Sequence, residues 1–359
     1  MNKRIIFHIP MHIDHSRASA SQIRPMKLCQ AFRELGYEVD MVEGYGKERR
    51  QQIKSIKRKI AQGIVYDFVY SESSTMPTLM TEKHHLPTYP CLDFSFLHFC
   101  KKNGIKIGLF YRDIHWRFIN KDFDWKQRVA KWFYRYDLCQ YERLLDVMFL
   151  PSVEMFPHIP LHFKKKVLAL PAGCEIHQTK EPNAHDCLNL LYIGGIGGNY
   201  DLKHLVEAVA KTGNVQFTLC CRDDDWQLVR KDYCKLMNDH IHLIHAQGKE
   251  LDTLYRNADL FAMFFYSEYI QFAVPFKLFE AIGHHTPLLA VKDTWTGNYI
   301  NDKKIGLTCN DNVEDICQTL KKVHDNPQLL QEYRRNIQEV ASQNTWHERC
   351  KTIAEALRS

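Results

Sequence analysis

The chain lacks any run of eighteen apolar residues in its 359 positions, so no segment reads as a membrane-spanning helix. Its start, Met-Asn-Lys-Arg-Ile-Ile-Phe-His-Ile-Pro, has the basic flank of a secretory signal but too short an apolar core. It reads instead as a first buried strand. Cys-x-x-Cys is absent as well. The twelve cysteines are scattered from Cys29 to Cys350, and Cys220, Cys221 and Cys309 fall in apolar strand-like runs, where a thiol behaves as a small hydrophobe. That pattern speaks against a disulfide framework and for a reducing cytoplasm. No repeat of solenoid period and no low-complexity segment occurs. The net charge of +6 is a small excess for this length, enough to admit nucleotides or anionic lipid without calling for nucleic acid.

What is present describes a globular protein of two domains. Hydrophobic residues make up 45% and charged residues 25%, and the length accommodates two domains of ordinary size. Strand-like runs at 4–9, 37–42, 68–71, 105–111 and 147–150 alternate with helical segments at 22–35 and 122–145. The polar stretch 177–186 reads as a linker, and a second series begins at 188–193. In that series, strands at 215–221, 241–245, 260–264 and 287–291 alternate with helices at 202–211, 226–237 and 249–257. The tail 313–359 reads as helical throughout. Such alternation predicts two doubly wound, mainly parallel α/β domains with a ligand cleft between them.

Several motifs fall where strands end. Gly194-Gly195-Ile196-Gly197-Gly198 sits between a strand and a helix, where glycines let backbone N–H groups approach an anion. It is not Gly-x-Gly-x-x-Gly, and no acid occupies the ribose position, so a nicotinamide dinucleotide is not expected. A tight turn without ligand is the other reading. Pro275-Phe276-Lys277-Leu278-Phe279-Glu280 places a cation beside the opening of a helix and a carboxylate one turn on. Those are the groups a diphosphate and a ribose need, although an amphipathic helix with solvated Lys277 and Glu280 shares the spacing. Arg222 closes a strand and suits a phosphate or base. Asp223, Asp224 and Asp225 read as partners of a helix dipole rather than as metal ligands.

In the first half, Arg112-Asp113-Ile114-His115 follows a strand, and an aspartate beside a histidine raises its basicity for work on a sugar hydroxyl. A structural histidine is the alternative. Ser19, Ser21 and Arg24 lie at the first helix start, as ligand contacts or as plain helix caps. His12-x-Asp14-His15 suits substrate contact. His84-His85 and His284-His285 lack a third ligand at convincing spacing, so no metal site is expected. Lys121, Lys126, Arg128, Lys131 and Arg135 interleave with Trp125, Trp132, Phe133, Tyr134 and Tyr136, and 121–136 reads as a packed helix or one lying on an anionic membrane face.

Taken together, the glycine loop after the first strand of the second half and Pro275-x-Lys277-x-x-Glu280 resemble the donor domain of GT-B glycosyltransferases, closest to glycosyltransferase family 4 and related bacterial polysaccharide enzymes. The resemblance covers nearly the whole chain and is looser in the first half. It implies a first Rossmann-like, acceptor-side domain over 1–172, a nucleotide-sugar domain over 173–340, and a helix at 341–359, with Trp346, crossing back to the first. It implies a hexosyltransferase using a UDP- or GDP-linked sugar, retaining and metal-independent, with no required cofactor. The acceptor would be a glycan or lipid-linked oligosaccharide at the inner face of the cytoplasmic membrane, and an oligomer is compatible with it. By position, Glu280 would hold the ribose, and Pro275, Phe276, Lys277 and Leu278 the diphosphate. Gly194, Gly195 and Gly197 would border the donor, and Arg222 would reach its phosphates or base. His115, with Asp113, would stand near the donor sugar, and Lys277 would serve catalysis. Ser19, Ser21, Arg24 and Arg112 would contact acceptor or donor sugar. One position departs: the family's second glutamate, eight residues before Glu280, is Phe272 here, with Glu268 and Gln271 out of register. That leaves room for a catalytically silent binding subunit, and the same fold also serves sugar-nucleotide epimerases.

Overall fold

The computed structural model describes residues 3–14, 19–118, 125–178, 187–265 and 269–358, which form two compact units. His15 to Ala18, Lys121, most of the 177–186 linker and Glu268 lie outside the described residues, as do the side chains of Trp125 and Lys126.

The first unit, Met1–Gly173 with Trp346–Ser359, is built on six parallel strands. Strand β1 (Lys3–His8) leads through α1 (Ala20–Glu34) to β2 (Tyr37–Val42), and α2 (Gly46–Ala61) leads on to β3 (Phe68–Glu72). Then come α3 (Leu92–Lys102), β4 (Lys106–Phe110), α4 (Trp125–Leu144), β5 (Val147–Leu150) and β6 (Lys166–Ala169). The strand order is β2-β1-β3-β4-β5-β6. The strands read as unbroken apolar runs because both faces are covered: Ile5, Ile6, Phe7, Met148, Phe149 and Leu150 have no exposed surface.

In the second unit, Cys174–Thr345, the sheet is again six-stranded and parallel. Its elements are β7 (Leu188–Ile193), α5 (Lys203–Lys211), β8 (Val215–Cys220), α6 (Asp223–Tyr233), β9 (Ile241–Ile244), α7 (Glu250–Asn257) and β10 (Leu260–Met263). They are followed by α8 (Phe276–Gly283), β11 (Leu288–Val291), α9 (Trp295–Lys303), β12 (Gly306–Cys309), α10 (Val313–Asp325) and α11 (Gln328–Ser342). The order β12-β11-β10-β7-β8-β9 makes the β7–β10 boundary the point where the winding reverses, and the β1–β3 boundary does the same in the first unit. Ligands of open α/β sheets bind outside the carboxyl ends of strands at such points.

The expected helical tail is three helices. The last, α12 (Trp346–Arg358), belongs to the first unit, where it lies against α1, β3 and β4. Two glycines make room for it. A Cβ on Gly173 would lie 2.8 Å from Trp346 Cα, and one on Gly108 would lie 2.9 Å from a methyl of Leu357. Arg349 donates two hydrogen bonds to the Ala172 carbonyl, both 3.1 Å. No described helix is long and apolar enough to cross a membrane.

Candidate functional site

In the second unit the glycine loop and the Pro275 segment follow neighbouring strands, because β7 pairs with β10. After β7 the Gly194 N–H donates to the Cys220 carbonyl at 3.1 Å, and Tyr192 Oη donates to the Gly195 carbonyl at 2.7 Å. Gly197 (φ +87°) and Gly198 (φ +56°) take the left-handed conformation that lets the loop turn back, with Gly197 and Tyr200 exchanging two 3.0 Å bonds. Pro275 is the cap residue of α8, so the helix opens where the spacing predicts. Lys277 Nζ lies 2.6 Å from Glu280 Oε2, one turn along, with both side chains about two-thirds buried. Each thus holds the other in the absence of a ligand. Arg222 caps α6 and pairs with Asp225 at 2.9 Å while staying largely exposed. Asp223 and Asp224 occupy the first turn of that helix. Phe272 is buried, with its ring 5.7 Å from that of Tyr269. A side chain so packed takes no polar role.

The first unit gathers its polar groups at the carboxyl ends of β1, β3 and β4. Glu72, which sequence reading passed over, is their centre. It is fully buried and accepts from Arg24 Nε (3.0 Å), Arg112 Nη2 (3.0 Å) and Tyr70 Oη (2.9 Å). Arg24 also donates to the Pro171 carbonyl at 3.0 Å and lies 3.7 Å from the centre of the Phe110 ring. Arg112 bonds the Ser73 carbonyl at 3.3 Å. Beside them His8 bridges Ser71 Oγ (2.8 Å) and Asp93 (3.0 Å), and Arg49 Nη2 donates to Asp93 at 3.2 Å. Burial disfavours charge on Asp93, but the bond from His8 and the Arg49 charge outweigh it and hold the carboxyl below its ordinary range. Ser19 caps α1 through its backbone carbonyl, while its hydroxyl meets Ser21 Oγ at 3.1 Å.

Asp113 and His115 come together as the spacing suggests. Asp113 Oδ1 meets His115 Nδ1 at 2.5 Å and accepts the His115 backbone N–H at 2.8 Å. That hydrogen bond, against some burial, raises the imidazole above its ordinary value of 6.5. Trp116 stacks on Tyr134 at 5.1 Å and donates to Tyr111 Oη at 3.1 Å, which fixes the short turn carrying the pair.

Residues 175–341 match the family model described as "Glycosyl transferases group 1". The second unit is a glycosyl transferases group 1 domain. With that domain the chain is a glycosyltransferase, and its fold is GT-B. Among solved structures, it is similar to Anabaena HepE in complex with UDP, with TM-score 0.69 and 11% identity over 99% of both chains. It is also similar to sucrose-phosphate synthase from Thermosynechococcus elongatus, with TM-score 0.67 and 13% identity over 99% of this chain and 98% of that one. A third similar structure is WaaG, a glycosyltransferase involved in lipopolysaccharide biosynthesis, with TM-score 0.60 and 15% identity over 98% of this chain and 99% of that one. A comparison with curated proteins returns no match by sequence.

The transferase domain also holds a cavity of about 470 Å³ at the other end of α8. His284, the residue that ends α8, stacks between His177 (ring centres 3.7 Å apart) and Tyr255 (4.4 Å), and its Nε2 lies 3.4 Å from Asp252 Oδ1. Burial, with His177 beside it, pushes His284 down to about 3, so the ring is neutral. The third group that the His284-His285 pair lacks in sequence is supplied by two distant segments.

Proposed function

We propose that the glycosyltransferase moves a sugar from a nucleoside-diphosphate sugar to an acceptor hydroxyl, with retention and without a catalytic metal. The observation that carries this is the opening of α8, where a helix end, Lys277 and Glu280 stand together at the winding reversal of a group 1 domain. The amides at Phe276, Lys277 and Leu278 and the Lys277 ammonium meet the diphosphate, and Glu280 accepts the two ribose hydroxyls. Donor binding therefore exchanges the Lys277–Glu280 contact for two contacts with the nucleotide. Gly194, Gly195 and Gly197 border the donor, and Arg222 swings from Asp225 to its phosphates or base. As the bond from the sugar carbon to the phosphate oxygen breaks and the bond to the acceptor oxygen forms, that phosphate oxygen takes the acceptor proton. Lys277 and the helix amides stabilise its charge.

HepE, solved with UDP and with UDP-glucose, supports a uridine donor as the first to try. Calorimetry against UDP and GDP, followed by product analysis with and without a glycan acceptor, tests the reading. Binding of one nucleotide and a product only with acceptor are expected. A product without acceptor would indicate an epimerase. Failure to bind either nucleotide would leave a silent subunit.

In the first unit, Asp113 and His115 are proposed to act on a sugar hydroxyl, with Arg24 and Arg112 shaping the strand ends through Glu72, and Ser19 and Ser21 beside them. Because Asp113 raises His115 above 6.5, the pair stabilises the fold fully below that pH, and the contribution is lost as pH rises through the folded value. Asp113→Asn should move the acid limb of kcat/KM down toward pH 6.5. An unmoved limb removes His115 from the reaction.

On α4, Trp132 is 63% exposed among Arg128, Lys131 and Arg135. We propose that this face rests on an anionic bilayer at the cytoplasmic side and brings a lipid-linked acceptor within reach. The chain should pellet with phosphatidylglycerol vesicles and not with phosphatidylcholine, and Trp132→Ala with Arg135→Ala should weaken this several-fold. Equal pelleting of the double variant removes the membrane role.

A further inference from the structure

The cavity at the far end of α8 is built differently from the donor site and lies at the opposite edge of the sheet. Its lining comes from the segments that precede β10 and β11, whereas the glycine loop, Arg222 and Pro275 all follow strands. Three side chains there offer metal-ligating atoms within 4.8 Å of one another: His177, Asp252 and His284. Two imidazoles and one carboxylate form a ligand set that zinc accepts, with a fourth position for water. For a tetrahedral ion with bonds of about 2.0–2.1 Å, neighbouring ligand atoms lie about 3.3 Å apart. The 3.4 Å between His284 Nε2 and Asp252 Oδ1 already has that length.

The backbone holds these groups in register. His177 N–H donates to the Gly283 carbonyl at 2.9 Å, which lays the entry segment across the end of α8. Only glycine allows this crossing, since a Cβ on Gly283 would stand 2.2 Å from the Glu175 carbonyl oxygen. His285 takes the left-handed conformation (φ +56°), unusual for a side chain of its size, and this turns the chain immediately after His284. Tyr255 fixes the His284 ring from its other side.

A second observation points to a ligand in the same cavity. Tyr255 Oη and His285 Nδ1 both belong to lining residues, are buried, and have no hydrogen-bond partner. Leaving such groups unpaired costs about 1–3 kcal/mol each, so an unmet donor and acceptor on one cavity wall call for an occupant. Water on a metal ion meets that need, as the outer partners of metal sites commonly do. The cations facing the cavity are Arg256 and Arg334, and Arg334 is held by Asp259 at 3.2 Å. Asp252 supplies the negative charge that a metal ion needs against them.

We propose that His177, Asp252 and His284 bind a divalent transition-metal ion, zinc by donor type, that fastens the entry segment of the transferase domain to α7 and α8. The site is structural and separate from sugar transfer. It stands whether or not the donor reading does, because its test measures metal and not turnover. The full, untagged chain is equilibrated with zinc, dialysed against metal-free buffer, and assayed for bound metal and thermal midpoint. About one zinc per chain and a raised midpoint are expected. Asp252→Asn, which keeps the shape of a half-exposed side chain, and His177→Gln should each weaken zinc binding at least about tenfold and abolish the thermal shift. Their metal-free midpoints serve as the folding control. Cobalt in place of zinc should give the visible absorption of a tetrahedral site in the unaltered chain only. No retained metal, or equal zinc in both variants, overturns the proposal. So does stabilisation by inorganic phosphate with none by zinc, which would give the cavity to an anion through Arg256 and Arg334.

Discussion

Lys277→Ala should reduce turnover of the preferred nucleotide-sugar by about 10²–10³, the loss seen when one preorganised charge-stabilising group is removed from a transition state. Its ammonium stands at the helix opening where the departing diphosphate gathers charge, and Glu280, 2.6 Å away, keeps it there before the donor arrives. Removing Glu280 has a different signature. Without its carboxylate the ribose loses an acceptor in ground and transition states alike, so Glu280→Ala should raise KM more than it lowers kcat. Lys277→Arg, which keeps the charge on a wider head, should recover part of the loss. Steady-state kinetics on the three variants decide the matter. Activity within twofold of the unaltered enzyme for both alanine variants would remove this helix end from the reaction.

The second large effect is on stability. Glu72→Gln should destabilise the first unit by about 3–5 kcal/mol, because it strips the charge from a carboxylate that serves two buried guanidiniums. Arg24 retains the Pro171 carbonyl and the Phe110 ring, and Arg112 retains the Ser73 carbonyl, but neither contact offsets a positive charge. Glu72→Leu should be no worse than Glu72→Gln if packing, rather than charge, were what the site needed. The charge argument expects the leucine variant to be worse still. Hydrogen exchange of the β1, β3 and β4 amides reads the first unit alone. A midpoint change equivalent to less than about 0.5 kcal/mol, the scatter of an ordinary surface substitution, contradicts it.

The fold was readable because its strands are buried on both sides. Tyr37–Val42, Val147–Leu150 and Leu188–Ile193 were expected and found with the same bounds, since continuous apolar runs between turn residues mark fully covered parallel strands. Helix α2 was passed over: its sequence is crowded with lysine and arginine, and it buries few apolar side chains, Ile53 and Ile56 among them. Strand β6, an edge strand opened by a lysine, and β12, opened by glycine, carry too little apolar signal. The opening of α8 was legible because proline, cation and carboxylate are neighbours in the chain. Glu72 was not, although an acid ending the apolar strand Phe68–Glu72 was a signal available to read. His177, Asp252 and His284 meet only after three elements have packed, and no local spacing encodes that.

The placement of α12 also orders the events of synthesis. The sheet of the first unit leaves the ribosome early, yet the helix that covers Gly108 on β4 and packs against α1 emerges only after the whole second unit has been made. At about 5–20 residues per second, that interval lasts on the order of ten to thirty seconds. Throughout it the nascent first unit presents the uncovered seat of Trp346, Cys350 and Leu357 to its surroundings. The transferase domain has no such wait, and can close its core before the unit that precedes it in the chain.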